Sequence, residues 1–209
     1  MNADWSSNPF STRFVSPGQL SFIGMEEGWL DELAAVLIQQ NGNGQIVGPH
    51  GVGKTTLSFE LERRVARLND TRTPFRFVRK IISPQQTIRS GHQSASFESS
   101  PQKTVLVLDG FERLSWFQRV ALVKACQRKQ IGLLLTTHRA VWGVPKLVSL
   151  KPDQDRFESV VKELTCDCEF QISTGRLGEI FISNNGNIRE SLMSCYDEFE
   201  ANRAKPDEP

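Results

Sequence analysis

Residues 48–55 read Gly48-Pro49-His50-Gly51-Val52-Gly53-Lys54-Thr55 and match G-x-x-x-x-G-K-[ST]. A triphosphate is a dense cluster of negative charge, and a loop with inward-pointing amides offers it several donors without crowding cationic side chains together. Gly51 and Gly53 permit the backbone angles that such a loop needs. A helix opening near Gly53 would add its free amides and positive dipole end to the same anion. Lys54 would then reach the β- and γ-phosphates, and the Thr55 hydroxyl would face Mg²⁺. The candidate binding set is Gly48, Pro49, His50, Gly51, Val52, Gly53, Lys54, Thr55 and Thr56, with His50 contributing backbone rather than imidazole. A plain strand-to-helix turn does not need Lys followed by Thr here, so the motif points to a nucleoside triphosphate.

Four further stretches carry candidate chemistry. Val105-Leu106-Val107-Leu108-Asp109 is an aliphatic run delivering one carboxylate, at the strand end where open α/β sheets bind ligands. Asp109 is the candidate partner of Thr55 in holding Mg²⁺. Hydrolysis also requires a group that orients water; Gly110 follows Asp109, and Glu112 is the nearest acid. A run from Ile131 to Leu135 ends in Thr136-Thr137-His138-Arg139, where Thr136 or Thr137, and secondarily Arg139, are candidates to contact a γ-phosphate or its water. In Gly186-Asn187-Ile188-Arg189-Glu190, Asn187 reads as a helix N-cap with Glu190 at the capping-box position. That places Arg189 in a first turn, where the helix dipole disfavours a cation, and so suggests a partner elsewhere.

The elements that must position these residues follow from hydrophobic spacing. Helices are expected over 29–40, 54–68, 117–129, 153–164, 174–183 and 187–200. Strands are expected over 45–48, 75–82, 104–108 and 131–136, with a weaker fifth over 146–150. Strands alternating with helices predict a three-layer α/β/α arrangement around a mainly parallel five-stranded sheet, with a small C-terminal helical lid. The expected organisation is an arm over 1–28, a core over 29–152, a helical lid-like segment over 153–203 and a frayed tail over 204–209. The arm carries Phe10, Phe14 and Phe22, which suits a segment lying on a core rather than a free tail. Residues 83–102, rich in Ser and Gln, read as a long surface connection.

Bulk composition narrows the classes. The 209 residues are 38% hydrophobic and 23% charged, as expected of one compact domain or a core with a small appendage. A net charge of +1 supplies no general reason to expect nucleic acid or an anionic membrane, though a local basic face stays open. Four irregularly spaced cysteines and no apolar stretch of membrane-spanning length point to a reducing, cytoplasmic setting. Cys166-Asp167-Cys168 lacks a second pair at zinc-site spacing and reads as incidental. Trp116, Phe117 and Trp142 read as packing residues rather than a base-stacking platform.

Taken together, the 48–55 loop, the Asp109 strand, the Thr136/Thr137 strand end and the GNIR turn resemble the AAA+ superfamily, in its origin-recognition and STAND-type flavour. The words NPF and FIG ahead of an amphipathic helix are similar to the lead-in of such ATPases. The resemblance implies ATP and Mg²⁺ as cofactors, a sensor at Thr136 or Thr137, a lid sensor at Arg189, and in Arg139 the arginine that ends a TTR motif. It also implies a protein partner and nucleotide-dependent self-association. Two departures stand out: Gly110 in place of a catalytic Glu, and no clear trans-acting arginine among Arg113, Arg119 and Arg128. An ATPase or slow ATP switch is the reading that results. A nucleotide or small-molecule kinase, and an ATP-binding module without turnover, are the alternatives.

Overall fold

The computed structural model describes residues 8–68, 75–82 and 103–203. The expected surface connection over 83–102 and the tail over 204–209 lie outside them. In chain order the elements are α1 (Thr12–Val15), α2 (Trp29–Gln39), β1 (Gly44–Val47), α3 (Lys54–Leu68), β2 (Phe75–Ile81), β3 (Lys103–Asp109), a short 3-10 turn (Phe111–Arg113), α4 (Trp116–Arg128), β4 (Gly132–Thr137), β5 (Lys146–Ser149), α5 (Gln154–Leu164), α6 (Thr174–Ser183) and α7 (Ile188–Arg203).

The strands form one sheet in the order β2-β3-β4-β1-β5, every pairing parallel. The central strands are the most continuously apolar: β1 and β4 are buried along their whole lengths, as strands covered on both faces must be. The weak strand over 146–149 is an edge, pairing with β1 alone, and with both end residues exposed and none buried it gives a faint signal.

The chain divides into two compact units. One comprises residues 27–48 and 58–149 and holds the whole sheet with α2 and α4. Its core against α4 joins Leu108, Phe111, Val123, Cys126, Leu133 and Leu135. Ser115 caps α4 in a full capping box with Gln118, which fixes where that helix starts.

The other unit comprises residues 1–26, 49–57 and 150–209. Its core is built from α5, α6 and α7, with Phe157 stacked on Phe181 at 5.6 Å and Ile188, Leu192 and Cys195 beside them. The N-terminal arm supplies a core residue: Phe10 is fully buried in this cluster. Asn8 fixes that arrangement by donating from Nδ2 to the Tyr196 carbonyl at 3.0 Å and to Glu200 Oε1 at 2.9 Å. The arm therefore packs on the C-terminal helices.

Candidate functional site

The phosphate-loop motif sits in the helical unit from Pro49 onward. Gly51 and Gly53 have φ of 73° and 90°, left-handed angles that cost an L-residue with a side chain about 1–2 kcal/mol. Gly51 is constrained a second way. A Cβ built on it would lie 1.7 Å from Oδ1 of Asn187. The same Oδ1 caps α7, accepting from the Glu190 amide at 3.2 Å. Asn187 is thus an N-cap, as its spacing predicts, and also the side chain against which the loop rests.

Lys54 opens α3 and donates from Nζ to the Pro49 carbonyl at 2.6 Å. Its ammonium is folded over the loop's own backbone, where an anionic oxygen could replace the carbonyl. Thr55 and Thr56 follow in the first turn, both half-buried, and His50 is exposed. Phe22, from the arm, approaches Gly53: a Cβ there would lie 3.2 Å from the ring. The guanidinium of Arg156 sits 4.8 Å over that ring.

Arg156 is a site feature that sequence reasoning missed. It is 5% exposed, and beyond Asp153 at 3.2 Å it has Nε and Nη1 buried without a hydrogen-bond partner among the described residues. Burial presses its pKa below the usual arginine range, against the opposing pull of Asp153. A single Arg in a predicted helix gives no sequence signal of this; its surroundings come from the arm, 131 residues away in sequence at Met25 and farther at Phe22.

The carboxylate and polar strand ends lie in the sheet unit. Asp109 closes β3, in register with Thr136 of β4, and the Thr136 hydroxyl donates to Asp109 Oδ1. Adjacent strand residues point to opposite faces, so Thr137 points the other way, with Leu133 and Leu135 toward α4. Of the two threonines, Thr136 is the one joined to Asp109.

Glu112 pairs through Oε1 with His138 Nε2 at 2.9 Å. Its other oxygen, Oε2, and the Thr137 hydroxyl are both buried without a hydrogen-bond partner among the described residues. Glu112, Thr137, His138 and Arg139 line one cleft of about 930 Å³ beside α4. Arg139 and Arg189 are exposed and make no ion pair or hydrogen bond among the described residues. Arg189 is therefore not neutralised by Glu190 or Asp197.

One sequence expectation is corrected here. Trp116, Phe117 and Trp142 are not packed in the described structure: they are 68%, 77% and 94% exposed. Trp116 and Phe117 open α4, ahead of the turns whose Val123 and Cys126 meet the sheet, and Trp142 lies in the β4–β5 loop. The four cysteines are free thiols, and no group of three or more metal-ligating side chains occurs among the described residues. No described helix is long and apolar enough to cross a membrane.

No family model and no curated protein matches the chain. Solved structures do. Drosophila ORC bound to DNA superimposes with a TM-score of 0.62 at 17% identity, covering 98% of this chain and 64% of that one. Aeropyrum pernix ORC1 in complex with DNA gives 0.60 at 15%, covering 92% and 65%. A variant of Thermotoga maritima RuvB gives 0.55 at 17%, covering 82% and 60%. The chain spans less than two thirds of the length of each of them. Likeness at this identity speaks to architecture rather than activity: with its all-parallel sheet in the order β2-β3-β4-β1-β5, the chain has the fold of the AAA+ P-loop ATPases.

Proposed function

We propose that the protein is an ATP-binding AAA+-type switch that hydrolyses ATP slowly with Mg²⁺. The observation that carries this reading is the loop itself: two left-handed glycines followed by Lys54, whose ammonium already rests on a loop carbonyl at the start of α3. That donor set suits a polyphosphate, since backbone amides, a helix N-terminus and one ammonium together supply charge-assisted donors. Thr55 and Asp109 are the proposed Mg²⁺ ligands, the metal serving to neutralise charge on the phosphates. Thr136, hydrogen-bonded to Asp109, is the proposed sensor on β4. Arg189, exposed and unpaired among the described residues, is the proposed reporter from the helical unit. Phe22 and the buried donors of Arg156 are proposed to face the base.

Slow rather than fast turnover is favoured by a specific pairing. Gly110 offers no carboxylate next to Asp109, and Glu112 is engaged by His138. A general base must reach its water, and the second oxygen of Glu112 is buried. The pairing also supports the neighbouring reading of an ATP-binding module without turnover.

Titration of a fluorescent ATP analogue with Mg²⁺ tests the proposal. Lys54→Ala should weaken binding by at least about tenfold, the loss expected of one charge-assisted hydrogen bond. Equal binding by the variant and the parent would refute the assignment.

A further inference from the structure

The cleft beside α4 is not needed by the nucleotide reading. Its walls are apolar, from Val120, Val123 and Val141, and exposed Trp116 and Trp142 stand among its lining residues. A volume of about 930 Å³ is at the upper end of ordinary ligand sites, which run to about 1,000 Å³. Two buried polar atoms belong to its lining residues: the hydroxyl of Thr137, which is 1% exposed, and Glu112 Oε2. Each lacks a hydrogen-bond partner among the described residues, a state that costs about 1–3 kcal/mol per group.

Apart from Glu112, the charged side chains that line the cleft, Arg119, Lys124 and Arg139, are cationic. From Arg113 to Pro152 the chain contains no Asp or Glu and eight Lys or Arg. Some of these are already committed: Arg119 holds the Glu112 and Leu114 carbonyls. Lys124 and Arg139, both lining the cleft and both exposed, make no ion pair among the described residues.

We propose that this cleft docks an extended acidic peptide segment of a partner protein. An apolar side chain of the peptide fills the valine-lined slot between Trp116 and Trp142, and its carboxylates meet Lys124 and Arg139. Both unpaired atoms are fully buried as the cleft stands; a small shift of the floor on docking would let a peptide amide N–H donate to Glu112 Oε2 and a peptide carbonyl accept from the Thr137 hydroxyl. This pairing of needs favours a peptide over a nucleic acid strand. Exposed tryptophans and cations suit both, but a strand carries no aliphatic side chain for the valine-lined slot, and its sugar–phosphate backbone has no N–H to donate to Glu112.

Panning a random dodecapeptide phage library on the full chain tests this directly. The expected consensus is an aromatic or aliphatic residue flanked by Asp or Glu. A synthetic peptide of that consensus, labelled with fluorescein, should bind in fluorescence anisotropy and lose about tenfold or more in affinity against Arg139→Glu and against Trp142→Ala. Both residues are exposed, so these variants retain the fold. Thr137→Val should cost about fivefold, the worth of one hydrogen bond. The proposal is overturned by a basic consensus, by no enrichment over the Trp142→Ala bait, or by displacement of the peptide by a twenty-nucleotide oligothymidine.

Discussion

Replacing Gly51 with alanine should destabilise the protein through two separable effects. The first is backbone strain: φ of 73° is a left-handed angle, costing alanine about 1–2 kcal/mol. The second is steric. The new methyl would lie 1.7 Å from Asn187 Oδ1, well inside van der Waals contact, so Asn187 must swing away from the Glu190 amide that it caps at 3.2 Å. Losing that cap adds about 1 kcal/mol, for a total of about 2.5 kcal/mol in Gly51→Ala. Asn187→Ala alone should cost about 1 kcal/mol. In the double variant the cap is already gone and the clash is relieved, so its cost should stay near 2.5 kcal/mol rather than the additive 3.5 kcal/mol, a coupling of about 1 kcal/mol. Gly53→Ala is the control: its φ is 90°, yet a Cβ meets nothing nearer than the Phe22 ring at 3.2 Å, so it should show the backbone cost without coupling to Asn187. Urea unfolding followed by circular dichroism at 222 nm gives all the free energies. If Gly51→Ala costs the same with and without Asn187, the contact does not hold the loop and the reasoning fails.

Two further outcomes follow. Burial holds the Cys195 thiol up to about 12 and raises Cys126 and Cys168 as well, so above the ordinary thiol range the unfolded chain binds fewer protons than the native one. Stability should therefore fall as pH rises from about 9 toward 12, by up to about 1.4 kcal/mol per pH unit for Cys195, and urea midpoints at pH 9 and 10.5 should show a shallower decline in Cys195→Ala. Arg189→Ala should leave the unfolding free energy within about 0.5 kcal/mol of the parent, because the side chain is exposed and unpaired among the described residues. The same variant should narrow the ratio of ATP to ADP affinity by about tenfold, if Arg189 meets a γ-phosphate through a charge-assisted bond; an unchanged ratio removes it from the sensor role.

The fold was legible because its signals are local. Continuous aliphatic runs such as Leu133-Leu134-Leu135 mark buried parallel strands, and the spacing of Leu57, Leu61 and Val65 marks the inner side of α3, all of them buried. The loop motif was legible because its chemistry is written in consecutive residues. What the sequence left open depends on which way a side chain points. Thr136 and Thr137 are chemically identical neighbours, and the strand's two-residue period, fixed by the register of β4 on β3, sends one to Asp109 and the other to the α4 cleft. Trp142 illustrates the converse: an aromatic residue in a short loop reads as packing by composition, but burial depends on whether a surface lies opposite it. Arg156 was hidden for a related reason, since its partners Phe22 and Met25 come from the N-terminal arm.

Those long-range contacts bear on how a nucleotide switch could work. Within the helical unit the loop touches two segments remote in sequence, Phe22 at Gly53 and Asn187 at Gly51. Asn187 divides one oxygen between the loop and the first turn of α7, so loop shape and helix capping share a single atom. Coupling between two such states is reciprocal. Under the proposed function, a phosphate that favours the present loop shape must favour the capped turn bearing Arg189 by the same free energy, and an uncapped α7 must weaken phosphate binding equally. A switch built this way needs no large displacement to begin, because small shifts at a packed, bistable contact are amplified into larger rearrangements.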